Sequence, residues 1–147
     1  MKNTLATACF IVPLLCTSLA MADTLKPTKT SHADVAGSIF SRADAVKSVP
    51  GEPKTVDVVT HESADKAFQT GMYKSGPMRE ELGAPGTPYE EFLYFTAGGV
   101  TLTSSDGTVM TVKAGESVSI PKGWTGVFET KGYEKIYAIY DVAATQK

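Results

Sequence analysis

From Thr55 onward the chain is cut by turn residues into short apolar or β-branched runs, and no long helical pattern fits between the cuts. TVDVVT, AFQTGMYKSG, EEFLYFTAGG, GVTLTSSDGTVMTV, ESVSIP, WTGVFET and EKIYAIYDV follow one another. Lys113-Ala114-Gly115, Pro121-Lys122-Gly123 and Lys131-Gly132 separate the later runs, and Asp106-Gly107 inside the fourth is the strongest hairpin signal. Eight or so strands spaced about ten residues apart predict an all-β sandwich or barrel. The two glycines of EEFLYFTAGG read as a stop and a reversal of that strand.

The chain before Thr55 has a different texture. Residues 1–22 carry Lys2, a mostly apolar stretch from Leu5 to Leu19 and the small-x-small sequence Ala20-Met21-Ala22. This pattern predicts a signal peptide cleaved before Asp23, and so a periplasmic or secreted protein. Both cysteines, Cys9 and Cys16, lie in that segment. The remainder has no disulfide framework, thiol nucleophile or thiolate metal site and must rest on its core. Residues 23–53 form a leader. Its polar start reads as mobile, Ser31 to Asp34 resembles a capping box, and Val35, Ile39 and Ala43 recur at helical spacing. SVPGEPK then marks the boundary of a domain spanning 54–147.

Removing the signal takes one lysine and no acid from 14 basic and 16 acidic residues, leaving a formal charge of −3. The signs are mixed along the chain, which gives no basic face for nucleic acid, and no membrane contact is expected once the signal is cleaved.

Two segments carry more than fold class. Glu91 is followed after six residues by Gly98, and Gly115-x5-Pro121-x-Gly123 lies one hairpin later. Their order and spacing resemble the two motifs of the cupin superfamily. The text from Ala67 to Asp141 is similar to the cupin domain of (S)-ureidoglycine aminohydrolase. The resemblance implies a double-stranded β-helix, the cupin jelly-roll barrel, with a pocket at one mouth.

It also implies where a metal would be held. The family takes His-x-His and a glutamate from its first motif and a histidine from its second. Here the first two positions fall within Ala84 to Thr87, which contains no histidine, and the last falls on Gly126. Glu91 is the one matching ligand position, and catalytic zinc sites usually supply three protein ligands. No cofactor is expected, and the ligand pattern does not support a divalent metal. His32, in the leader, and His61, at the end of a strand, read as surface residues.

By the family match Glu91 points into the barrel; alternation then places Leu93 and Phe95 with it and Glu90, Phe92 and Tyr94 on the other face. Lys135 and Tyr137 share one face of the last strand, where the subfamily typically carries Lys-x-Tyr. The predicted site is therefore Glu91, Lys135, Tyr137 and Arg79, walled by Tyr94 and Trp124. It would suit a small polar molecule with carboxylate or amide groups, gripped by the cations. The expected protein is an exported, dimeric, small-molecule-binding cupin. Its rivals are a metal-dependent or acid–base enzyme of the ureidoglycine aminohydrolase type and an interaction module with a filled barrel.

Overall fold

The computed structural model describes residues 25–143, so the predicted signal segment lies outside the described residues. The leader begins with a one-turn helix, α1 (His32–Val35). Ser31 and Asp34 cap it reciprocally, each side chain bonded to the other residue's backbone N–H. The predicted helical spacing does not continue to Ala43. Gly37, at φ 108°, lies in the left-handed region and ends the turn, and a 3₁₀ turn (Ser38–Ser41) follows.

Nine strands then appear among the described residues. They are β1 (Val46–Lys47), β2 (Thr55–Glu62), β3 (Phe68–Ser75), β4 (Met78–Leu82), β5 (Glu90–Ser104), β6 (Val109–Lys113), β7 (Ser117–Ile120), β8 (Gly126–Thr130) and β9 (Tyr133–Tyr140). Every pairing is antiparallel. One sheet runs β1-β2-β3-β9-β5-β7 and the other runs β4-β8-β5-β6, so β5 is common to both. This is the predicted all-β jelly-roll barrel.

The long strand corrects one expectation. Gly98 and Gly99 do not stop β5, which continues through them with a register shift between Phe95 and Ala97. A Cβ on Gly98 would strike the Gly132 carbonyl, and one on Gly99 the Val112 carbonyl. Gly98 also adopts φ 67°. These glycines let the strand bend from one sheet into the other where neighbouring backbones press close. The reversal occurs later, where Gly107 at φ 87° closes the β5–β6 hairpin and Thr108 N–H donates to Asp106 Oδ1.

Two cores result. Inside the barrel, Leu93, Phe95, Val100, Leu102, Val112, Ile120 and Phe128 pack with Tyr133 and Tyr137. Tyr133 meets Phe95 and Phe128 edge-on, with ring centroids 5.4 and 5.9 Å apart. Such pairs add about 0.5–1.5 kcal/mol beyond their buried area. Behind the first sheet, Ile39 of the leader joins Val58 and Met72, with Val35, Phe40 and Ile136 around them. The end of the leader is thus docked against the outer side of β2 and β3.

Candidate functional site

Strand alternation delivers polar groups to one mouth of the barrel. On β9, Tyr133, Lys135 and Tyr137 all point inward and are buried. On β5, Glu91 shares the inner face with the fully buried Leu93 and Phe95. Lys135 Nζ donates to Glu91 Oε1 at 2.9 Å, with both side chains largely out of water. The ammonium also lies 5.5 Å from the Tyr73 ring centre and 5.6 Å from that of Tyr133. Lys135 therefore sits in a cage of one carboxylate and two phenol rings, which compensates an ammonium that is only 7% exposed.

A second pair lies beside the first. Tyr137 O–H donates to Asp57 Oδ1 at 2.9 Å. Tyr137 is on β9 and Asp57 on β2, with β3 between them. The phenol crosses β3 over Gly71, where a Cβ would collide with its oxygen and ring. Burial raises the Asp57 carboxyl above its ordinary value, opposed by the Tyr137 hydrogen bond and the nearby Lys135 charge. Burial likewise raises the phenols of Tyr133 and Tyr137. The two carboxylates Asp57 and Glu91 add to the rise at Tyr137.

These groups face a cavity of about 610 Å³. Glu91, Lys135, Tyr137 and Trp124 line it, joined by Asp57, Tyr73 and Tyr89. Two predicted residues are not there. Tyr94 alternates with Leu93 and Phe95 and so stands half-exposed on the outer face of β5. On β4 it is Met78, Glu80 and Leu82 that line the cavity, so Arg79 faces away. Its guanidinium is exposed, 3.6 Å from Glu81 and 4.0 Å from Glu129. With Lys135 already engaged by Glu91, the two cations expected to grip a carboxylate are not presented to the cavity as such. Asp57 was absent from the predicted site, although a lone acid inside the β-branched run TVDVVT was the available signal.

The turns bearing the remaining cupin ligand positions are held against each other. Thr87 N–H donates to the Trp124 carbonyl at 3.0 Å and Gly123 N–H to the Thr87 carbonyl at 2.8 Å. Thr87 Oγ1 donates to the Pro121 carbonyl at 2.6 Å and accepts from Trp124 N–H at 3.1 Å. At Gly126 a Cβ would collide with the Thr103 carbonyl and approach Trp124 Cζ2 to 2.7 Å. The indole is fixed there by Nε1–H donating to Ser104 Oγ at 3.0 Å. The residues present do not fit a four-donor metal centre. Glu91 is bound to an ammonium, Ala84 to Thr87 offers no imidazole, and indole and backbone close the space at Gly126. Among the described residues no group of three or more histidine, cysteine, aspartate or glutamate side chains is placed to hold a metal ion. His61 is exposed beside Phe68 on β2 and β3, and His32 is in α1.

The pattern of the EutQ-like cupin domain matches residues 62–137, just over half of the chain. The chain belongs to the EutQ-like cupin domain family. Solved structures agree on the fold. A DUF861-family protein of unknown function from Pseudomonas syringae pv. tomato is 21% identical with a TM-score of 0.57. The alignment covers 66% of this cupin and 44% of that chain, so this cupin spans less than half of that relative's length. A Rhizobium leguminosarum protein of unknown function is 18% identical with a TM-score of 0.55, covering 80% of this cupin and 99% of that chain. The EutQ protein of Clostridium difficile is 19% identical with a TM-score of 0.50, covering 67% and 77%. No curated protein matches this cupin. The Glu91, Lys135, Tyr137 and Trp124 positions fall within the family match, and Asp57 lies before it.

Proposed function

We propose that this cupin is an exported protein that binds a small polar molecule in the mouth of its barrel. The observation that carries the reading is the convergence of Asp57, Glu91, Lys135 and Tyr137 on one aromatic-walled cavity of about 610 Å³. That volume is within the range typical of small-molecule sites, which combine apolar walls with a few placed polar groups. Pairing of those groups inside the wall holds them in place without a ligand and leaves their orientation preset for one. The export part of the reading is supported by the signal-like residues 2–22.

The test is a thermal-shift screen of small amines, amides, carboxylates and polyols, with Tyr89→Ala as a control for the cavity wall. A ligand that raises Tm for the parent protein and loses that effect in the variant supports the reading. A screen in which no compound moves Tm sinks it. Mass analysis of protein recovered outside the cytoplasm, with a new N-terminus at Asp23, tests export.

The outer sheet face favours a homodimer as a second element of the reading. Phe68, Phe92, Tyr94 and Tyr140 are each 39–48% exposed there, and contiguous exposed aromatics mark association surfaces. The mass in solution by light scattering decides it.

A further inference from the structure

The cavity has a sign. Four carboxylates line it, Asp57, Glu80, Glu91 and Asp141, against two ammoniums, Lys66 and Lys135. Lys135 is bonded to Glu91, so its charge is neutralised within the wall. Asp57 takes part in no ion pair among the described residues and accepts its hydrogen bond from a neutral phenol. The same carboxylates act together on the tyrosines. Glu91, Glu80 and Asp57 all push the Tyr89 hydroxyl upward, after burial as the largest cause. Three carboxylates from β2, β4 and β5 therefore direct their field at one phenol of the cavity wall.

The walls match that sign. Tyr73, Tyr89, Trp124, Phe128 and Tyr133 line the cavity with aromatic rings, whose faces attract cations through their quadrupoles. The protein already uses this chemistry on itself, since Lys135 is held between two phenol rings and a carboxylate. An anionic ligand would meet net repulsion from this lining, and a neutral one would gain no charge attraction from it.

We propose that the molecule bound in this cavity carries a small organic ammonium group, with Asp57 as its counter-ion and the aromatic wall as its seat. This deepens the reading of the site as a small-molecule pocket and rests on it. The ammonium of the ligand repeats, from the solvent side, the arrangement that Lys135 makes from within.

The chain contains a single tryptophan, Trp124, and it lines the cavity, so its fluorescence reports occupancy. Three probes of similar size separate charge from shape: propylammonium, propionamide and propionate, each titrated against the protein at constant ionic strength. Saturable binding of propylammonium at least about tenfold tighter than propionamide, with propionate weakest, is the expected result. Asp57→Asn keeps an acceptor for Tyr137 and removes the charge. It should weaken propylammonium about tenfold while leaving propionamide unchanged. Propionate or propionamide binding as tightly as propylammonium overturns the ammonium assignment and leaves the pocket reading standing. Three flat titrations, with the Trp124 indole N–H resonance also unmoved, overturn both.

Discussion

Gly71 and Tyr137 face each other on adjacent strands, and the missing side chain of the first makes the path by which the second reaches Asp57. A glycine inside a strand normally weakens it, having no side chain to pack. Here the phenol covers the gap, so one position links the barrel wall to a half-buried acid.

Gly71→Ala should therefore be expensive beyond its size. The added methyl collides with the Tyr137 oxygen and ring and approaches the Val58 carbonyl to 2.6 Å. Overpacking of this kind costs about 1–3 kcal/mol. Urea denaturation should show a lowered midpoint. Tyr137→Phe in the same background should cost less than it does alone, because the hydrogen bond to Asp57 is already lost.

The Lys135–Glu91 pair makes a different prediction. Lys135→Met leaves the Glu91 carboxylate buried without its cation, which typically costs about 3–5 kcal/mol. Adding Glu91→Leu should restore much of that loss. A double-mutant cycle on thermal or urea stability measures the coupling, and strictly additive losses would contradict it.

Asp57 sets a pH dependence of definite sign. Its folded-state value is raised above the ordinary 3.8, chiefly by burial. The folded protein thus holds this proton more tightly than the unfolded chain. The group's contribution is present at pH below 3.8 and is lost as pH rises through the folded value. Asp34, Asp44, Asp65 and Asp106 are lowered by their hydrogen bonds and tilt the profile the opposite way. The difference between the parent and Asp57→Asn isolates the first effect. Across that interval the parent should lose stability relative to the variant as pH rises.

Placing an imidazole at Gly126, where the cupin resemblance puts a histidine, should not create a metal site. Gly126→His pushes its Cβ into the Thr103 carbonyl and the Trp124 indole. A loss of about 1–3 kcal/mol is expected, with no gain in Tm on adding zinc or manganese. A metal-dependent rise in Tm for this variant would count against the closed geometry around Trp124.

Arg79→Ala provides the contrast. Its exposed, long contacts with Glu81 and Glu129 are of a kind worth roughly 0–1 kcal/mol. Stability should scarcely move, and any ligand affinity should be unchanged by calorimetry.

The sequence carried the strands, the hairpin and the inward set Glu91, Leu93 and Phe95, because alternation is local once one residue is oriented. It carried Lys135 and Tyr137 through the same rule applied to β9. Tyr94 was named a wall although alternation from Glu91 already put it on the other face, and Arg79 was judged by chemistry alone, whereas it alternates out of the barrel. Asp57 was not legible for another reason. Its role depends on β9 inserting between β3 and β5, a pairing between segments far apart in the chain. Nothing in TVDVVT shows that a tyrosine will arrive over a glycine on the next strand.

The family match opens at residue 62, five positions after Asp57, a cavity carboxylate that takes part in no ion pair among the described residues. Of the charged lining, Lys66, Glu80, Glu91 and Lys135 lie inside the matched block, Asp141 follows it, and Asp57 precedes it on β2. That strand is backed in turn by Ile39 of the leader, through Val58 and Met72. A chain trimmed to the matched block would lose Asp57 together with most of β2 and the end of β9.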